Sequence, residues 1–300
     1  MPDSSIFVVQ GPTASGKTGL AISLAACFNT EIISFDSRQF YSELAIGVAR
    51  PTREELQQVK HHFIASHAVQ ASLNAAQFAT QAQPILTKLL QEKGSAVLVG
   101  GSALFADALL LGLDPLPHDI QVRAKWQNLF EQHGLLALQQ ALQQCDPIFY
   151  REVDTKNPLR LIRALEVNEL TGKSNLELRK GSRKDPANIK RFVVNWPRPE
   201  LYARIDARVD QMLLEGLEKE VSLFYPEMQQ LKPLQTVGYQ EFFPYFEGLY
   251  NRDTAIEKVK QHARNYAKRQ LTWMSRYEGI HVLDPKSELS LLEQALQKIG

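Results

Sequence analysis

The residues with the clearest chemical potential form a glycine-rich loop near the start of the chain. Residues 11–18 fit the pattern G-x-x-x-x-G-K-T, with an apolar run before them and a helical pattern after them. Glycines let backbone N–H groups turn toward an anionic oxygen, and the helix N-terminus adds a positive dipole end. The lysine can neutralise phosphate charge, and the threonine hydroxyl can bind Mg²⁺. The predicted diphosphate-binding residues are Gly11, Pro12, Thr13, Ala14, Ser15, Gly16, Lys17 and Thr18.

A second cluster of reactive groups follows the next apolar run. Residues 34–39 read Ser-Phe-Asp-Ser-Arg-Gln, which places an acid, hydroxyls, a guanidinium and an amide in one loop. An aspartate here could cap the next helix, a common use of this residue. Strand ends in such sheets, however, form the ligand crevice. We therefore favour Asp36 as a base that acts on whatever attacks the bound diphosphate.

The glycine-rich loop predicts binding of a di- or triphosphate but does not by itself predict phosphoryl transfer. In nucleotide-hydrolysing proteins, a second acid usually ends a later apolar strand and helps to hold Mg²⁺. Here the third apolar run, residues 96–99, is followed by Gly100, Gly101 and Ser102 and carries no acid. This difference leaves Asp36 as the carboxylate that faces the phosphate site.

Alternating strand and helix patterns must position these loops. Helical periodicity follows the glycine-rich loop and recurs at about 74–91, 199–224 and 253–276, with a last helix at the C-terminus. The apolar runs that predict strands are 6–9, 31–35, 96–99, 192–196 and 280–283. The alternation predicts an α/β fold, a P-loop NTPase-like parallel sheet flanked by helices.

The pattern changes after the third strand. Residues 114–118 have the composition of a linker, and residues 122–172 are helical and rich in Leu and Gln. We therefore predict a helical insertion domain over 116–190. It separates a first part of the P-loop core, 1–115, from a second part, 191–300, which carries a basic helix near the C-terminus.

Charge patterning predicts a local rather than a global surface for nucleic acid. The net charge is only +1 over 300 residues, so a nucleic acid would have to meet local basic patches. Residues 258–277 contain no acid, and Lys260, Arg264 and Lys268 recur there every four positions. Such a stripe is spaced to follow a phosphate backbone, although a solvated helix face explains it equally well. A second basic segment lies at 179–184.

The remaining composition excludes several classes of protein. Cys27 and Cys145 are the only cysteines, too few for a disulfide framework or a four-cysteine zinc site, which fits a cytoplasmic location. We expect no signal peptide and no membrane span, because the chain has neither pattern. His61 and His62 lack a completing ligand set, so we expect no metal there. Cys27 is expected in the core, on the apolar side of the first helix.

Several segments together resemble the tRNA dimethylallyltransferase family, also called tRNA isopentenyltransferases. The resemblance extends over residues 7–283, and the segments agree in order and spacing. Because no Cys/His finger is present, the chain resembles the short bacterial type. The segments are 11–18, 31–39, 46–47, 61–62, 100–102, 160–167, 205–210, 237–239 and 266–273.

The resemblance implies a reaction and its partners. Dimethylallyl diphosphate, not ATP, would occupy the glycine-rich loop with Mg²⁺ held by Thr18. Its prenyl group would pass to the exocyclic N6 amine of the adenine on the 3′ side of the tRNA anticodon. Asp36 would be the general base, and Ser102 would match a threonine at the reacting centre. The tRNA anticodon stem-loop would be the partner, with no membrane and no obligate protein partner.

The resemblance also implies tRNA contacts along the chain. They begin in the base loop, continue through the helical insertion and end in the basic helix. The implied residues are Asp36, Ser37, Arg38, Gln39, Ser102, Arg123, Leu159, Arg160, Leu161, Ile162, Arg163, Gln235, Thr236, Val237, Gly238, Tyr239, Gln240, Lys268, Arg269, Gln270 and Trp273.

The chain departs from the family pattern near the proposed base. Residues 102–105 read Ser-Ala-Leu-Phe where Thr-Gly-Leu-Tyr is usual, and Phe35 replaces a small residue. The serine keeps the hydroxyl, and the glycine-rich loop and Asp36 are intact. We therefore expect an active enzyme.

Two other interpretations stay open at the level of sequence. A P-loop kinase of small molecules or nucleotides would use Asp36 to deprotonate a hydroxyl and Arg160 and Arg163 to clamp a γ-phosphate. A non-catalytic RNA-binding module would carry a vestigial loop. ATP turnover separates the first from prenyl transfer, and dependence on Asp36 separates the second.

Overall fold

A parallel sheet organises the computed structural model, which describes residues 4–114, 116–178 and 188–299. Its strands are β1 Ser5–Gln10, β2 Ile32–Ser34, β3 His61–His62, β4 Ser95–Gly100, β5 Ile189–Val194 and β6 His281–Leu283. Their order across the sheet is β3-β2-β4-β1-β5-β6, and every neighbouring pair is parallel. The predicted α/β fold with a parallel sheet is confirmed.

Helices connect these strands and cover both faces of the sheet. In the described residues they are α1 Lys17–Cys27, α2 Arg53–Gln58, α3 Ala75–Lys93, α4 Ala103–Leu110, α5 Ile120–Cys145, α6 Pro147–Glu152, α7 Pro158–Thr171, α8 Asn175–Leu178, α9 Arg198–Glu215, α10 Leu217–Ser222, α11 Phe243–Phe246, α12 Arg252–Met274 and α13 Leu291–Ile299. Helices α1 and α13 lie on one face, and α3, α4, α9 and α12 lie on the other. This two-sided cover accounts for strands that are apolar throughout.

The central strand β1 shows how the two cores form. Side chains alternate along a strand, so Ile6 and Val8 enter one core and Phe7 and Val9 enter the other. All four side chains are buried. Each contributes roughly 1.5–3 kcal/mol relative to an exposed side chain. This packing fixes the end of β1, from which the glycine-rich loop starts.

The chain divides into two compact units, Met1–Gly112 with Lys184–Gly300, and Leu113–Arg183. The sequence-based insertion ran from 116 to 190. Ile189 and Lys190 instead belong to the sheet, where they pair with Ile6 and Phe7. The basic segment 179–184 lies outside the described residues.

The smaller unit has its own hydrophobic core. Leu138 and Leu142 of α5 pack with Leu161, Ile162 and Leu165 of α7, and all five are buried. Leu161 and Ile162 were assigned to tRNA contact by resemblance. Their side chains instead hold the two helices together and present no surface to a partner, because the buried face of α7 passes through both positions.

A buried carboxylate organises the cations of the smaller unit. Glu166 is fully buried and accepts hydrogen bonds from Asp119 N at 3.1 Å and Arg163 Nη1 at 2.8 Å. It also contacts His118 Nδ1, and Arg123 Nη1 lies 3.7 Å away. A buried charge is stable only with such partners. The guanidinium groups of Arg123 and Arg163 are therefore anchored inside this unit.

Two local expectations were wrong or incomplete. Cys27 is exposed, because the buried face of α1 passes through Leu20, Leu24 and Ala25, and Phe28 continues it by contacting Phe7 at a ring distance of 4.5 Å. The edge strand β3 consists of two histidines and was not predicted, since two polar residues show no apolar pattern.

Candidate active site

The glycine-rich loop joins β1 to α1 at the carboxyl edge of the sheet. Gly16 precedes α1 with φ 93°, a left-handed conformation that glycine adopts without strain. No described side chain caps this helix, so its first backbone N–H groups remain available to an anion. Lys17 Nζ donates to Pro12 O at 3.3 Å. The loop thus has the geometry of an anion site.

Two side chains from the second half of the chain hold this loop from outside. Arg204 Nε donates to Ala14 O at 2.9 Å, and Trp196 Nε1 donates to Ser15 O at 3.0 Å. The Arg204 guanidinium also lies 4.2 Å from the Trp196 ring centroid. A trans peptide points its C=O and following N–H in opposite directions. The anchored Ser15 carbonyl therefore directs the Gly16 amide away from Trp196.

Asp36 lies at the carboxyl end of β2 and does not cap a helix. Its Oδ1 accepts the Arg38 amide at 3.3 Å, and its backbone oxygen accepts the Gln39 amide at 2.9 Å. The next helix, α2, is capped by Thr52 instead. The carboxylate is half-buried and lines a cavity, so the capping explanation for Asp36 is wrong.

Ser102 meets the Asp36 loop from the end of β4. Its hydroxyl accepts the Ser37 amide at 3.1 Å and lies 2.9 Å from the Ser37 hydroxyl. The Tyr266 side chain interacts with Ser102, and the Arg38 guanidinium lies 4.0 Å from the Tyr266 ring centroid. Burial raises the pKa of Tyr266, which keeps its phenol protonated. These contacts fix the loop that carries Asp36.

One cavity of about 620 Å³, part of it open to solvent, connects these groups. Its lining includes the charged side chains of Lys17, Asp36, Arg38 and Arg208, and helices α9 and α12 also contribute apolar side chains. It suits a ligand that is anionic at one end and apolar at the other. The lining residues are Thr13, Lys17, Asp36, Arg38, Gly47, Val48, Ala49, Ile205, Arg208, Val209, Met212, Val237, Gly238, Val259, Ala263, Tyr266 and Gln270.

Lys17 and Arg208 place two positive charges in this cavity. Burial lowers the pKa of Lys17 to about 8, Asp36 opposes that shift, and Arg208 adds to it. Lys17 is therefore mostly protonated at pH 7 and loses its proton as the pH rises through about 8. Arg208 lines the same cavity and retains exposed surface. An anion bound between the two would favour the charged lysine.

Trp196, Arg204 and Arg208 are site residues that the sequence-based assignment missed. Arg204 and Arg208 are four residues apart, and this spacing on α9 places both on one face. The segment 205–210 contributed to the family resemblance but received no role. Cation spacing on that helix was the available signal, whereas nothing in the sequence links Trp196 to Ser15.

A carboxylate outside the cavity shapes one of its walls. Glu220 accepts the backbone amides of Ala45, Ile46 and Gly47 at 3.0, 2.9 and 3.0 Å. It also accepts the Tyr239 hydroxyl at 2.5 Å. Three amides converging on one carboxylate fix the loop whose Gly47 borders the cavity. Tyr239 is fully buried, so its role is structural and its side chain offers no contact to tRNA.

The rest of the segment 235–240 is divided between the interior and the surface. Thr236 and Val237 are buried, and Val237 and Gly238 border the cavity. Gln235 is exposed, and Gln240 donates to the Glu241 carboxylate at 3.0 Å. Gln235 and Gln240 are the side chains of this segment that retain exposed surface.

The predicted cationic stripe on α12 is wrong in part. Lys260 Nζ lies 2.7 Å from Asp210, and Arg264 Nη1 donates to both Asp206 oxygens at 2.6 and 2.7 Å. Both acids belong to α9, which packs against α12. The sequence showed no acid near these cations because the partners lie 50 and 58 positions away in the chain (260 − 210 and 264 − 206).

Two cations in the C-terminal part of α12 are exposed. Lys268 and Arg269 are exposed, and Trp273 is half-buried beneath Arg276, whose guanidinium lies 4.9 Å from its ring centroid. Gln270 is buried at 6% exposure and borders the cavity. In the smaller unit, Leu159 and Arg160 are exposed on α7.

None of the described helices is long and apolar enough to cross a membrane. Within the same residues, no group of three or more His, Cys, Asp and Glu side chains is arranged to hold a metal ion. His62 Nε2 instead lies 2.6 Å from Glu31 in the sheet edge.

Comparison with known proteins identifies relatives over nearly the whole chain. A sequence model of the family described as IPP transferase matches residues 39–277, which exclude the glycine-rich loop. A tRNA dimethylallyltransferase of Cytophaga hutchinsonii is 44% identical over 90% of both chains. The tRNA dimethylallyltransferase 1 of Bacteroides fragilis is 40% identical over 97% of both chains.

Solved structures agree with this assignment. The full-length tRNA isopentenylpyrophosphate transferase of Bacillus halodurans superposes with a TM-score of 0.72 at 31% identity and covers 98% of this chain and 94% of its own. A eukaryotic dimethylallyltransferase acting on tRNA reaches a TM-score of 0.77 at 25% identity, covering 93% and 73% of the two chains. The resemblance found in the sequence is confirmed, and the chain belongs to the IPP transferase family, that of the tRNA dimethylallyltransferases.

Proposed function

We propose that this protein transfers a dimethylallyl group from dimethylallyl diphosphate to the N6 amine of the adenine on the 3′ side of the tRNA anticodon. The observation that carries the proposal is the shared cavity of Asp36, Lys17 and Arg208. A carboxylate and two cations line the same space, together with apolar side chains of α9 and α12. That combination matches a prenyl diphosphate and an acceptor amine.

Residues of the cationic end would hold the diphosphate of the donor. Lys17 and Arg208, which line the cavity, and the N–H groups that start α1 would receive its oxygens. Negative charge grows on the diphosphate as the allylic C–O bond breaks, so these donors stabilise the transition state more than the bound donor. The anchored Ala14 and Ser15 carbonyls keep the loop in a conformation that accepts an anion.

Thr18 would be the protein ligand of a magnesium ion at this site. Mg²⁺ usually binds through one or two protein oxygens together with substrate phosphates and waters. The described residues offer no larger cluster of ligands, and Thr18 follows Lys17 at the start of α1. When bound, the ion would neutralise part of the charge of the leaving diphosphate.

Asp36 would accept the proton that the amine loses. The N6–C bond forms as the allylic C–O bond breaks, the electron pair of that bond leaves with diphosphate, and one N6 proton passes to the carboxylate. An adenine amine is a weak nucleophile because its lone pair is delocalised into the ring. A positioned base typically accelerates such a step by about 10²–10⁴-fold. Ser102 acts through the Ser37 contacts that hold the Asp36 loop.

The acceptor base must leave the anticodon stack to reach this cavity, which costs a few kcal/mol. Exposed cations would offset that cost by contacts with the RNA backbone. Lys268 and Arg269 of α12 and Arg160 of α7 have exposed side chains suited to this task. Because tRNA is the acceptor, the proposal includes a cytoplasmic location.

The kinase alternative has little support. Strand β4 ends in Gly100 with Gly101 after it, so no acid stands where nucleotide-hydrolysing proteins hold Mg²⁺. Arg163, which would clamp a γ-phosphate, donates instead to the backbone oxygens of Leu116 and Pro117. A vestigial loop is also disfavoured, because the loop, Asp36 and the cavity are all intact.

The test is a transfer assay with purified protein, Mg²⁺, labelled dimethylallyl diphosphate and unmodified tRNA, with ATP as a parallel donor. Label is expected on the adenine beside the anticodon, together with released diphosphate and unchanged ATP. Transfer of phosphate from ATP without prenyl transfer would overturn the proposal. A tRNA with guanine at the same position serves as the acceptor control.

A further inference from the structure

Gln270 carries a buried polar atom that the fold does not use. Its side chain lies on α12, is only 6% exposed and borders the cavity. Nε2 donates to the backbone oxygen of Gly101 at 3.0 Å. Oε1 has no hydrogen-bond partner among the described residues. Leaving a buried acceptor unpaired costs stability, so a ligand donor is the natural partner for this oxygen.

The hydrogen bond to Gly101 fixes which amide atom is free. Exchanging the two ends of the Gln270 amide would set Oε1 against the Gly101 oxygen, and two acceptors repel each other. The nitrogen must therefore face Gly101, and the oxygen is the atom left over. Amide orientation is assigned in this way from the hydrogen-bond network.

Gly101 brings this amide close to Asp36. A Cβ atom at Gly101 would lie 2.0 Å from Gln270 Nε2 and 3.7 Å from Asp36 Oδ2. Gln270 Nε2 and Asp36 Oδ2 therefore lie within about 6 Å of each other beside this glycine. Both side chains border the same cavity, so one ligand group can meet both of them, and a side chain at Gly101 would occupy the same space.

We propose that Gln270 Oε1 accepts the N–H that the adenine amine keeps, while Asp36 accepts the N–H that it loses. The inference rests on the proposed function and extends it from a contact to an atomic role. As the new N–C bond forms, positive charge grows on N6, and both acceptors stabilise it. Gln270 thereby selects a 6-amino purine, since a 6-oxo purine would present a third acceptor to the pair.

A double-mutant cycle between protein and base tests this role without requiring turnover. Equilibrium binding is measured for tRNA carrying adenine or unsubstituted purine, which lacks the amine, at the acceptor position. Wild-type protein is expected to bind the adenine tRNA about 10-fold more tightly. In Gln270→Met the preference is expected to shrink by about 5-fold or more. An unchanged preference would overturn the proposal.

The matched control is Gln261→Met, an exposed residue of the same helix, which is expected to keep the wild-type preference. If Gln270 has only a structural role, Gln270→Met should weaken the binding of both tRNAs equally and leave the ratio of their affinities unchanged. If Gln270→Met does not fold, wild-type protein alone gives the test. It should bind tRNA with adenine at the acceptor position more tightly than tRNA with purine there, and tRNA with hypoxanthine least tightly. Equal binding of the three tRNAs would contradict the role of Gln270.

Failure of this inference can be told apart from failure of the proposed function. If wild-type protein transfers the prenyl group but the cycle shows no coupling, only the role of Gln270 is wrong. If wild-type protein transfers nothing to tRNA in the labelled-donor assay, the proposed function fails first.

Discussion

The hydroxyls of Ser37 and Ser102 lie 2.9 Å apart although 65 positions separate them in the chain. Ser102 Oγ also accepts the Ser37 amide at 3.1 Å. The contact joins the loops that follow β2 and β4, two neighbouring strands of the sheet. It holds the backbone immediately after Asp36, so the direction of the carboxylate depends on a serine from another loop.

Removing this hydroxyl is expected to slow chemistry without weakening donor binding. For Ser102→Ala we expect kcat to fall about 10-fold, because the loss of one hydrogen bond costs roughly 1.4 kcal/mol. The KM for dimethylallyl diphosphate should stay within about twofold. Ser102→Thr, which keeps the hydroxyl, should remain near wild type. Steady-state kinetics checks the split, and an equal loss in both variants would show that the hydroxyl is not the cause.

The support of the glycine-rich loop by Trp196 makes a different prediction. Trp196→Phe keeps a ring for Arg204 to stack on but loses the N–H that binds Ser15 O. We expect the KM for dimethylallyl diphosphate to rise about 5-fold, with kcat and tRNA affinity nearly unchanged.

A matched tryptophan change separates this effect from general loss of packing. Trp126 lies in the smaller unit, and its Nε1 has no hydrogen-bond partner among the described residues. Trp126→Phe should therefore leave the donor KM unchanged. A comparable rise of the donor KM in both variants would refute the specific role of Trp196.

The titration of Lys17 predicts the pH dependence of donor capture. Burial lowers the pKa of Lys17 to about 8, against the opposing effect of Asp36. The protonated form binds diphosphate, so kcat/KM for the donor should be full below pH 8 and decline as the pH rises above it. In Lys17→Arg the cation stays charged, and the smaller residual activity should be flat between about pH 7 and 9. The same decline in both proteins would assign the titration to another group.

The exposed cations of α12 should control the salt dependence of tRNA binding. Replacing Lys268 and Arg269 by Ala removes two charges and should lower the log–log salt slope by about 1.5. The charge-neutral pair Lys260→Ala with Asp210→Ala should leave that slope unaltered, because those side chains neutralise each other. Affinity is measured from low to moderate salt. A larger slope change in the control pair would reverse the assignment.

Local patterns in the sequence were sufficient for the parts of the site that lie on contiguous segments. The glycine-rich loop combines a strand, a fixed spacing and a helix, so residues 11–18 could be predicted directly. Asp36 could be placed because it ends a strand of a parallel sheet. The helical insertion was visible as a change of composition, although Ile189 and Lys190 could be assigned to the sheet only from their pairing with β1.

Long-range contacts account for what could not be predicted. Lys260 and Arg264 looked unpaired because their acids lie on another helix. Leu161 and Ile162 matched tRNA-contacting positions of the family, yet burial of one face of α7 removes their side chains from any partner. Trp196 has no motif of its own and becomes part of the site only through the folded position of Ser15.

The most direct test of the account compares wild-type protein with Asp36→Asn in single-turnover transfer of labelled dimethylallyl from its diphosphate to unmodified tRNA. Asparagine keeps the shape of the side chain but cannot accept the amine proton as a carboxylate does. We predict a loss of about 10²-fold or more in the transfer rate, with tRNA affinity unchanged. A transfer rate equal to that of wild type would contradict the assignment of Asp36 as the base and, with it, the proposed geometry of the reaction.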